Sequence, residues 1–195
     1  MDLEHLKATM ADTCHHCSSS GLQTGNGGNI SVRVSQDIML IKASDTAFFN
    51  SKTDDFVLAD FDGNSLTPGK KPSKECPLHG FLYRNRPDIH AIVHCHSPWA
   101  TGWSATGAPL PQSTYHSALK LKGNVPTFDS HSYAVPRTFF PIIHKELSKQ
   151  PDVLAFLMKG HGQFALGSSL YEALMNAELI EETAQIAILS KISCL

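Results

Sequence analysis

The chain opens with a helical pattern and then changes to short strand-like runs. Leu3, Leu6, Met10, Cys14 and Cys17 recur at spacings of three and four residues, so they share one face of a helix predicted over residues 2–20. Apolar runs that alternate or are bounded by turn residues predict strands. These runs cover residues 30–34, 38–42, 55–61, 89–96, 125–128, 153–158 and a stretch that ends at Leu166.

Helices are predicted between and after these strands. Ser73 follows a loop of prolines, glycine and lysines, and is predicted to cap the helix that it begins. Segment 106–136 is rich in Gly, Pro, Ser and Thr, so apart from its strand it is predicted to be irregular. The predicted helices cover 73–86, 99–105, a segment with Pro141 in its first turn that ends at Lys149, and a last helix from Ser168 or Ser169 to about Ile192.

Strands and helices are mixed without strict alternation, and several strand pairs are close enough in sequence to form hairpins. This order favours an α/β fold with a mixed or largely antiparallel sheet and packed helices, over a doubly wound parallel sheet. The length of 195 residues predicts one domain that spans 1–195, and neither an internal repeat nor a linker is visible.

Composition and charge exclude several classes of protein. Apolar residues make up 42% of the chain and charged residues 17%, which is a globular balance. The formal net charge of −2 argues against a general nucleic-acid binder. No apolar run approaches the ~18 residues of a membrane span, and the N-terminal residues lack a signal-peptide pattern. Five cysteines, an odd number, favour a reduced protein, so a cytoplasmic location is predicted.

The strongest chemical signal is the pair His94 and His96. Residues two apart in a strand point to the same side, so both imidazoles face one way while Val93 and Cys95 face the other. Two neutral imidazoles on one face are natural ligands of a divalent transition metal. The alternative is a pair of hydrogen-bonded histidines at a strand end.

Two further residues are candidates for the same chemistry. His161 lies between two glycines at the end of an apolar strand, where the backbone turns sharply, and is a third candidate ligand. Glu75 is predicted in the first turn of the helix that Ser73 caps, where it could ligate a metal or transfer a proton. The alternatives are a structural turn histidine and a simple capping-turn glutamate. His79, one turn after Glu75, is assigned a supporting or packing role.

A second group of residues has the chemistry of an anion site. Backbone N–H groups of a glycine turn, hydroxyls and a helix N-terminus all suit phosphate. Here they are supplied by residues 25–29, Ser44, Ser73 and Lys74, although an ordinary flexible turn would have the same composition. The Cys14-His15-His16-Cys17 motif lies late in a helix with both cysteines on its apolar face, so core packing is the better interpretation than a zinc or redox site.

In this order, the motifs resemble those of the class II aldolase/adducin family over nearly the whole chain. The matching stretches are Gly25–Ser31, Ile41–Ser44, Pro72–Glu75, His90–Ser97, Lys159–Gly162 and Glu178–Ala184. The resemblance implies a three-layer α/β/α domain around a mixed, mainly antiparallel sheet. It also implies a homotetramer with active sites at subunit interfaces.

The resemblance also assigns roles to residues. His94, His96 and His161 fall on metal-ligand positions, with Zn²⁺ expected and Mn²⁺ or Co²⁺ able to use the same ligands. Glu75 falls where aldolases of the family carry the acid/base glutamate, whereas epimerases tend to have aspartate. The phosphate-binding positions correspond to Gly28, Asn29, Ser44, Ser73 and Lys74.

Two departures from the family pattern stand out. Asp45 occupies a position that is usually glycine, and a carboxylate beside a phosphate costs Coulomb energy. Aldolases of the family often supply a C-terminal tyrosine as a proton donor, and the sequence shows no counterpart after the last helix. Tyr115, His131 and Tyr133 are candidate substitutes.

The function that follows from the resemblance is metal-dependent carbon–carbon cleavage of a phosphorylated sugar or sugar acid, by a retro-aldol reaction through a metal-stabilised enediolate. Decarboxylation of a 3-oxo sugar-acid phosphate is the alternative on the same site. A non-catalytic, adducin-like interaction domain is disfavoured, because such domains lose the metal histidines that this chain keeps.

Overall fold

A computed structural model describes residues 2–132 and 134–192 of the chain. One seven-stranded sheet has the order β3-β2-β1-β4-β7-β6-β5, with every neighbouring pair antiparallel except the parallel pair β5 and β6. The strands are β1 (Asn29–Arg33), β2 (Ile38–Lys42), β3 (Phe56–Asp60), β4 (Ala91–Cys95), β5 (Thr127–Phe128), β6 (Ala155–Met158) and β7 (Gly162–Gly167).

Helices cover both faces of this sheet, which confirms the predicted three-layer α/β/α architecture. One face packs against four helices and the other against two, because the buried strand residues alternate between two separate apolar clusters. The first four are α1 (Leu3–Ser19), α3 (Pro98–Ser104), α4 (Tyr115–Leu121) and α6 (Leu170–Ile192), and the other two are α2 (Cys76–Asn85) and α5 (Phe140–Leu147). Among the described residues, no helix is long and apolar enough to cross a membrane.

The predicted elements are confirmed with small shifts at their ends, apart from two differences. Helix α2 begins at Cys76, so Ser73 is not its N-cap; Glu75 occupies that position. A tight turn, closed by a bond from the Cys76 N–H to the Ser73 carbonyl, precedes the helix. The second difference is α4, which lies in the segment predicted to be irregular. Its signal was a reciprocal cap, since Thr114 and Ser117 each bond the other's backbone N–H.

The cysteines of the N-terminal motif lie in the core, as predicted. Cys14 and Cys17 are fully buried and not disulfide-bonded, and they pack in the apolar cluster between α1 and the sheet. Burial raises the pKa of the Cys14 thiol far above its usual range, so it stays protonated and unreactive.

Candidate active site

The candidate active site lies at one end of the sheet. Neighbouring antiparallel strands run in opposite directions, so the last residues of one lie beside the first residues of the next. Lys42 ends β2, Asn29 begins β1, Cys95 ends β4 and Gly162 begins β7. The pairing of Asn29 with His94 and of Cys95 with Gln163 brings the loops at these four strand ends together.

Three imidazoles meet at this end. The ring centroids of His94, His96 and His161 are 4.8 to 4.9 Å apart, and one nitrogen of each lies within 4.8 Å of the others. The predicted strand alternation is confirmed, since Val93 and Cys95 pack in the apolar cluster on the opposite face of the sheet. His161 arrives from the turn between β6 and β7.

His94 is held in a defined tautomer. Its Nδ1 lies 2.8 Å from the backbone carbonyl oxygen of Gln163, which can only accept, so Nδ1 carries the proton and Nε2 keeps its lone pair. The ring also stacks on Phe164 with centroids 3.9 Å apart. Because the ring is both bonded and stacked, its Nε2 has a fixed direction toward the pocket.

The environment keeps the histidines neutral. Burial, together with the neighbouring imidazoles, holds the pKa of His94 well below its usual range. Burial lowers the pKa of His161 to about 4 and also lowers the pKa of His96. Neutral imidazole is the form that ligates a metal, so these three side chains are ready to bind one near neutral pH.

The Glu75 carboxyl lies beside the three imidazoles. Its Oε2 accepts a hydrogen bond from Asn29 Nδ2 at 2.8 Å and lies 3.1 Å from His94 Nε2, and its Oε1 lies 3.8 Å from His161 Nε2. Burial raises the pKa of the Glu75 carboxyl to about 7. Near neutral pH this carboxyl can therefore either hold or release a proton, which is the property of a general acid/base.

The donor set fits a divalent metal. His94 Nε2 presents a lone pair to His96 Nε2 at 3.1 Å and to the Glu75 carboxylate, an arrangement that needs a proton or a cation between the atoms. Within the described part of the chain, Glu75 Oε1 is buried without a hydrogen-bond partner. Three imidazoles and a nearby carboxylate are typical ligands of Zn²⁺, Mn²⁺ or Co²⁺.

A cavity of about 310 Å³ opens beside the imidazoles. It is lined by the five residues that the resemblance assigned to phosphate binding and by the acid/base candidate: Gly28, Asn29, Ser44, Ser73, Lys74 and Glu75. His96 and His161 line it as well, so the cavity is continuous with the imidazole group. The structure therefore brings all nine predicted site residues to one place, while their individual roles stay predictions.

Glycines are required where the loop before β1 passes the histidines. A Cβ on Gly27 would lie 2.6 Å from His96 Nδ1, and a Cβ on Gly28 would lie 2.8 Å from the His94 carbonyl oxygen. Gly28 also has φ +67°, a conformation that other residues rarely adopt. Any side chain here would push the loop before β1, the first candidate anion loop, away from β4.

The second candidate anion loop follows β2 and carries Ser44 and Asp45. The Ser44 hydroxyl donates to the Pro72 carbonyl at 2.8 Å and the Ser44 N–H donates to the Lys71 carbonyl at 2.9 Å, so Ser44 ties this loop to the one before α2. Asp45 has φ +63°, which explains why glycine suits this position. Asp45 lines the cavity, so its carboxylate is near any anion bound there.

Sequence reasoning missed Lys42, which lines this cavity, and Gln23, which is buried behind it. Lys42 is nearly fully buried, and its Nζ donates to the Thr46 carbonyl at 2.6 Å beneath the second anion loop. Gln23 is equally buried; its Oε1 accepts from the His96 N–H at 2.8 Å, and its Nε2 donates to the Thr24 carbonyl at 2.6 Å. A lysine at the end of an apolar strand was a usable signal for Lys42. Nothing local marked Gln23, because its partner is far away in sequence.

A second, larger cavity of about 570 Å³ lies on the other side of the imidazoles and shares His96 and His161 with the first. His131, one candidate for a second proton donor, lines it with its side chain 86% exposed. Tyr115 is 99% exposed on α4 and lines neither cavity, so this chain does not bring it to its own pocket. Tyr133 lies outside the described residues.

His79 has a packing role. It is fully buried, and its Nδ1 lies 2.7 Å from the Ser31 hydroxyl.

Fold and pocket together define an α/β/α protein in which three histidines at the strand ends of a mixed, mainly antiparallel sheet meet a glutamate at the beginning of a helix. The sequence profile of the Class II Aldolase and Adducin N-terminal domain matches residues 8–188. The chain therefore belongs to the class II aldolase/adducin family, whose aldolases use a divalent metal.

Comparisons with curated relatives and with solved structures agree with this family assignment. The chain is 33% identical over 169 residues to a 5-deoxy-D-ribulose 1-phosphate aldolase of Bacillus thuringiensis serovar kurstaki, covering 86% of this chain and 77% of the relative. It is 32% identical over 188 residues to a methylthioribulose-1-phosphate dehydratase of Pectobacterium atrosepticum, covering 91% and 90%. An L-fuculose 1-phosphate aldolase structure superposes with a TM-score of 0.84 at 29% identity, covering 95% of this chain and 85% of that one. Other relatives are named as an epimerase and a decarboxylase.

Proposed function

We propose that this protein is a metal-dependent carbon–carbon lyase that cleaves a phosphorylated sugar or sugar acid by a retro-aldol reaction. The observation that carries the proposal is the position of Glu75. Its carboxyl, with a pKa raised to about 7, lies 3.1 Å from His94 Nε2 and lines the cavity that holds the candidate anion-binding residues. A proton-transferring group thus stands between a metal-binding group and a phosphate pocket.

The phosphate end of the substrate would bind in the smaller cavity. Gly28, Asn29, Ser44, Ser73 and Lys74 line it, and they supply backbone N–H groups, hydroxyls, an amide and an ammonium group. Phosphate-containing substrates also agree with the names of the aldolase and dehydratase relatives. Holding the phosphate fixes the reacting carbons against the histidines, which converts binding energy into orientation.

His94, His96 and His161 would hold the metal, with Zn²⁺ expected and Mn²⁺ or Co²⁺ as alternatives. When bound, a divalent metal supplies Lewis-acid polarisation of the substrate's carbonyl oxygen. The protein's own contribution is to fix the three ligand atoms, since β4 places two of them and the tight turn before β7 places the third.

Glu75 would handle the proton. Retro-aldol cleavage breaks one carbon–carbon bond, removes a proton from the hydroxyl of the carbon that leaves as an aldehyde, and returns a proton to the carbon that stays with the ketone. The buried Oε1, which faces His161 at 3.8 Å, is the atom that can hold this proton. Asn29 holds the other oxygen, Oε2, and so orients the carboxyl.

A homotetramer with active sites at subunit interfaces and a cytoplasmic location are part of the proposal, and both rest on the family resemblance. A partner subunit would be a source of the second proton donor, because Tyr115 is remote from the pocket of its own chain. Size-exclusion chromatography with light scattering measures the oligomeric state directly.

The proposed reaction is tested by identifying products. Purified, zinc-loaded protein is incubated with a panel of ketose phosphates and 3-oxo sugar-acid phosphates, and the products are analysed by mass spectrometry. Two carbon fragments, one of them dihydroxyacetone phosphate or a similar ketone, are the expected result. Loss of a single carbon as carbon dioxide would instead assign the decarboxylase reaction, with the same residues at the site. A retained carbon skeleton with every substrate would contradict both.

A further inference from the structure

The larger cavity is lined mostly by polar residues. Among the described residues that line it, Met158 is the only one with an apolar side chain. The others are polar or glycine: His96, Asp129, Ser130, His131, Ser132, Lys159, Gly160 and His161. A cavity with this lining suits a hydroxylated group better than a hydrocarbon one.

Asp129 and Lys159 form the charged centre of this cavity. They follow β5 and β6, the one parallel pair in the sheet, so both strands end at the same edge and deliver these residues side by side. Lys159 Nζ lies 3.1 Å from Asp129 Oδ2. Hydrogen bonds from two backbone N–H groups hold this pair in place. The Lys159 N–H donates to the Phe128 carbonyl at 2.8 Å, and the His131 N–H donates to the side-chain Oδ1 of Asp129 at 3.0 Å.

The two cavities meet at His96 and His161. For a substrate whose phosphate occupies the smaller cavity and whose reacting carbons face the imidazoles, the larger cavity is the adjoining space into which the remaining carbons can extend. The far end of the substrate is then the part that meets Asp129 and Lys159.

We propose that Asp129 and Lys159 form a subsite for the end of the substrate remote from the phosphate, and that they select a hydroxylated carbon chain. This inference rests on the proposed phosphorylated sugar substrate. The carboxylate accepts from a hydroxyl while the neighbouring ammonium donates to one, so the pair can bind adjacent hydroxyl groups. Because the two charges compensate each other, the subsite favours a neutral polyol end over a second anion.

A binding experiment tests the subsite without requiring turnover. The probes are two unreactive analogues, a five-carbon polyol 1-phosphate and its 5-deoxy counterpart, which differ only in a terminal hydroxyl. Calorimetry on the zinc-loaded protein is expected to show tighter binding of the fully hydroxylated analogue by about tenfold, the effect of one hydrogen bond to a charged group. Lys159→Met and Asp129→Asn should each reduce the difference to about twofold or less, with little change in the affinity for the 5-deoxy analogue.

Lys149→Met is the matched control, because Lys149 forms a similar exposed ion pair with Glu146 at 2.5 Å but lines neither cavity. This variant should keep the wild-type preference. Equal affinity of the wild-type protein for the two analogues would overturn the subsite, as would a Lys159→Met variant that weakens both equally. If the preference is found but no carbon–carbon cleavage occurs in the product assay, the subsite stands and the proposed reaction falls.

Discussion

The pocket has a candidate metal-binding side, formed by the three histidines, and a candidate anion-binding side, formed by Gly28, Asn29, Ser44, Ser73 and Lys74. The two sides share one cavity but are built differently. His94 and His96 lie at the end of a central strand, with the ring of His94 fully buried, bonded to a backbone carbonyl and stacked on Phe164. The candidate anion-binding residues lie instead on three loops and, for Asn29, at the first position of β1. Their conformation depends on glycines and on bonds between loops, such as the one from the Ser44 hydroxyl to the Pro72 carbonyl.

The difference has a physical consequence. A strand has one side-chain direction per position, so the sheet fixes the directions of His94 and of His96 beside it, and we expect the loss of one of these ligands to have a severe effect. A loop spreads its binding energy over many backbone and side-chain donors, so a single change on the anion-binding side should have a graded effect. Variants on the two sides should therefore differ in size as well as in kind.

The largest effect is expected from the metal-binding side. His96→Ala should abolish zinc binding and lower kcat/KM by about 10⁴-fold or more, because the loss of Lewis-acid stabilisation costs several kcal/mol. Zinc content by mass spectrometry and steady-state kinetics measure both losses. His90→Ala is the control, since His90 is exposed, directly precedes β4 and lines neither cavity. Normal turnover by the His96 variant would show that the ligand assignment is wrong.

Glu75 lies between the two sides, and a variant of it should distinguish an effect on the chemical step from an effect on binding. Glu75→Gln keeps an acceptor for Asn29 but cannot take up a proton, so kcat should fall by about 10²- to 10⁴-fold. Zinc affinity and KM should change little. The rate at which the ketone product exchanges a carbon-bound proton with deuterated water should fall in parallel with kcat. A variant that loses zinc instead would place Glu75 among the metal ligands.

The contrast between strand-borne and loop-borne residues also explains how much of this site could be predicted from the sequence. The facing of His94 and His96 came directly from strand alternation, because a period of two residues leaves no choice of side. The beginning of α2 was predicted at Ser73, whereas the helix begins at Cys76. A tight turn precedes it, and that turn is held by a hydrogen bond from the Ser73 N–H to the carbonyl of Lys42 at the end of β2, a contact that no local sequence pattern reports. Sequence patterns report local preference, and such contacts between distant loops are decided by the folded chain.

Gln23 is the clearest example of what local patterns miss. One buried amide joins the two sides, since its Oε1 holds the backbone N–H of His96 while its side chain fills the space that Gly27 and Gly28 leave open. A Cβ on Gly28 would lie 2.5 Å from Gln23 Oε1. The side chain thus sets the distance between the loop before β1 and the candidate metal ligand His96.

A variant of Gln23 should therefore weaken both sides together. Gln23→Met keeps the size of the side chain but leaves the buried His96 N–H unpaired, so zinc affinity should fall by about 10- to 100-fold and KM should rise. Chelator competition and kinetics measure these changes. Asn176→Leu removes a similar buried amide bond, to the Leu166 carbonyl at 2.9 Å, at the opposite end of β7. It should lower the free energy of unfolding without changing zinc affinity, whereas equal loss of zinc in both variants would reduce Gln23 to a purely structural role.

The smallest effect is expected on the anion-binding side, at Asp45. Asp45 lines the candidate phosphate cavity, where its carboxylate would oppose a bound dianion. Its φ of +63° suits asparagine and glycine as well as aspartate. Asp45→Asn removes only the charge, and Asp45→Gly also relieves the backbone. Both should tighten binding of inorganic phosphate by about two- to fivefold, the size of an exposed charge interaction. Calorimetry at low and high salt measures this gain, which should shrink as salt screens the charge. If only the glycine variant binds more tightly, backbone conformation rather than charge limits the pocket, and the anion loops are as rigidly determined as the strand that carries the histidines.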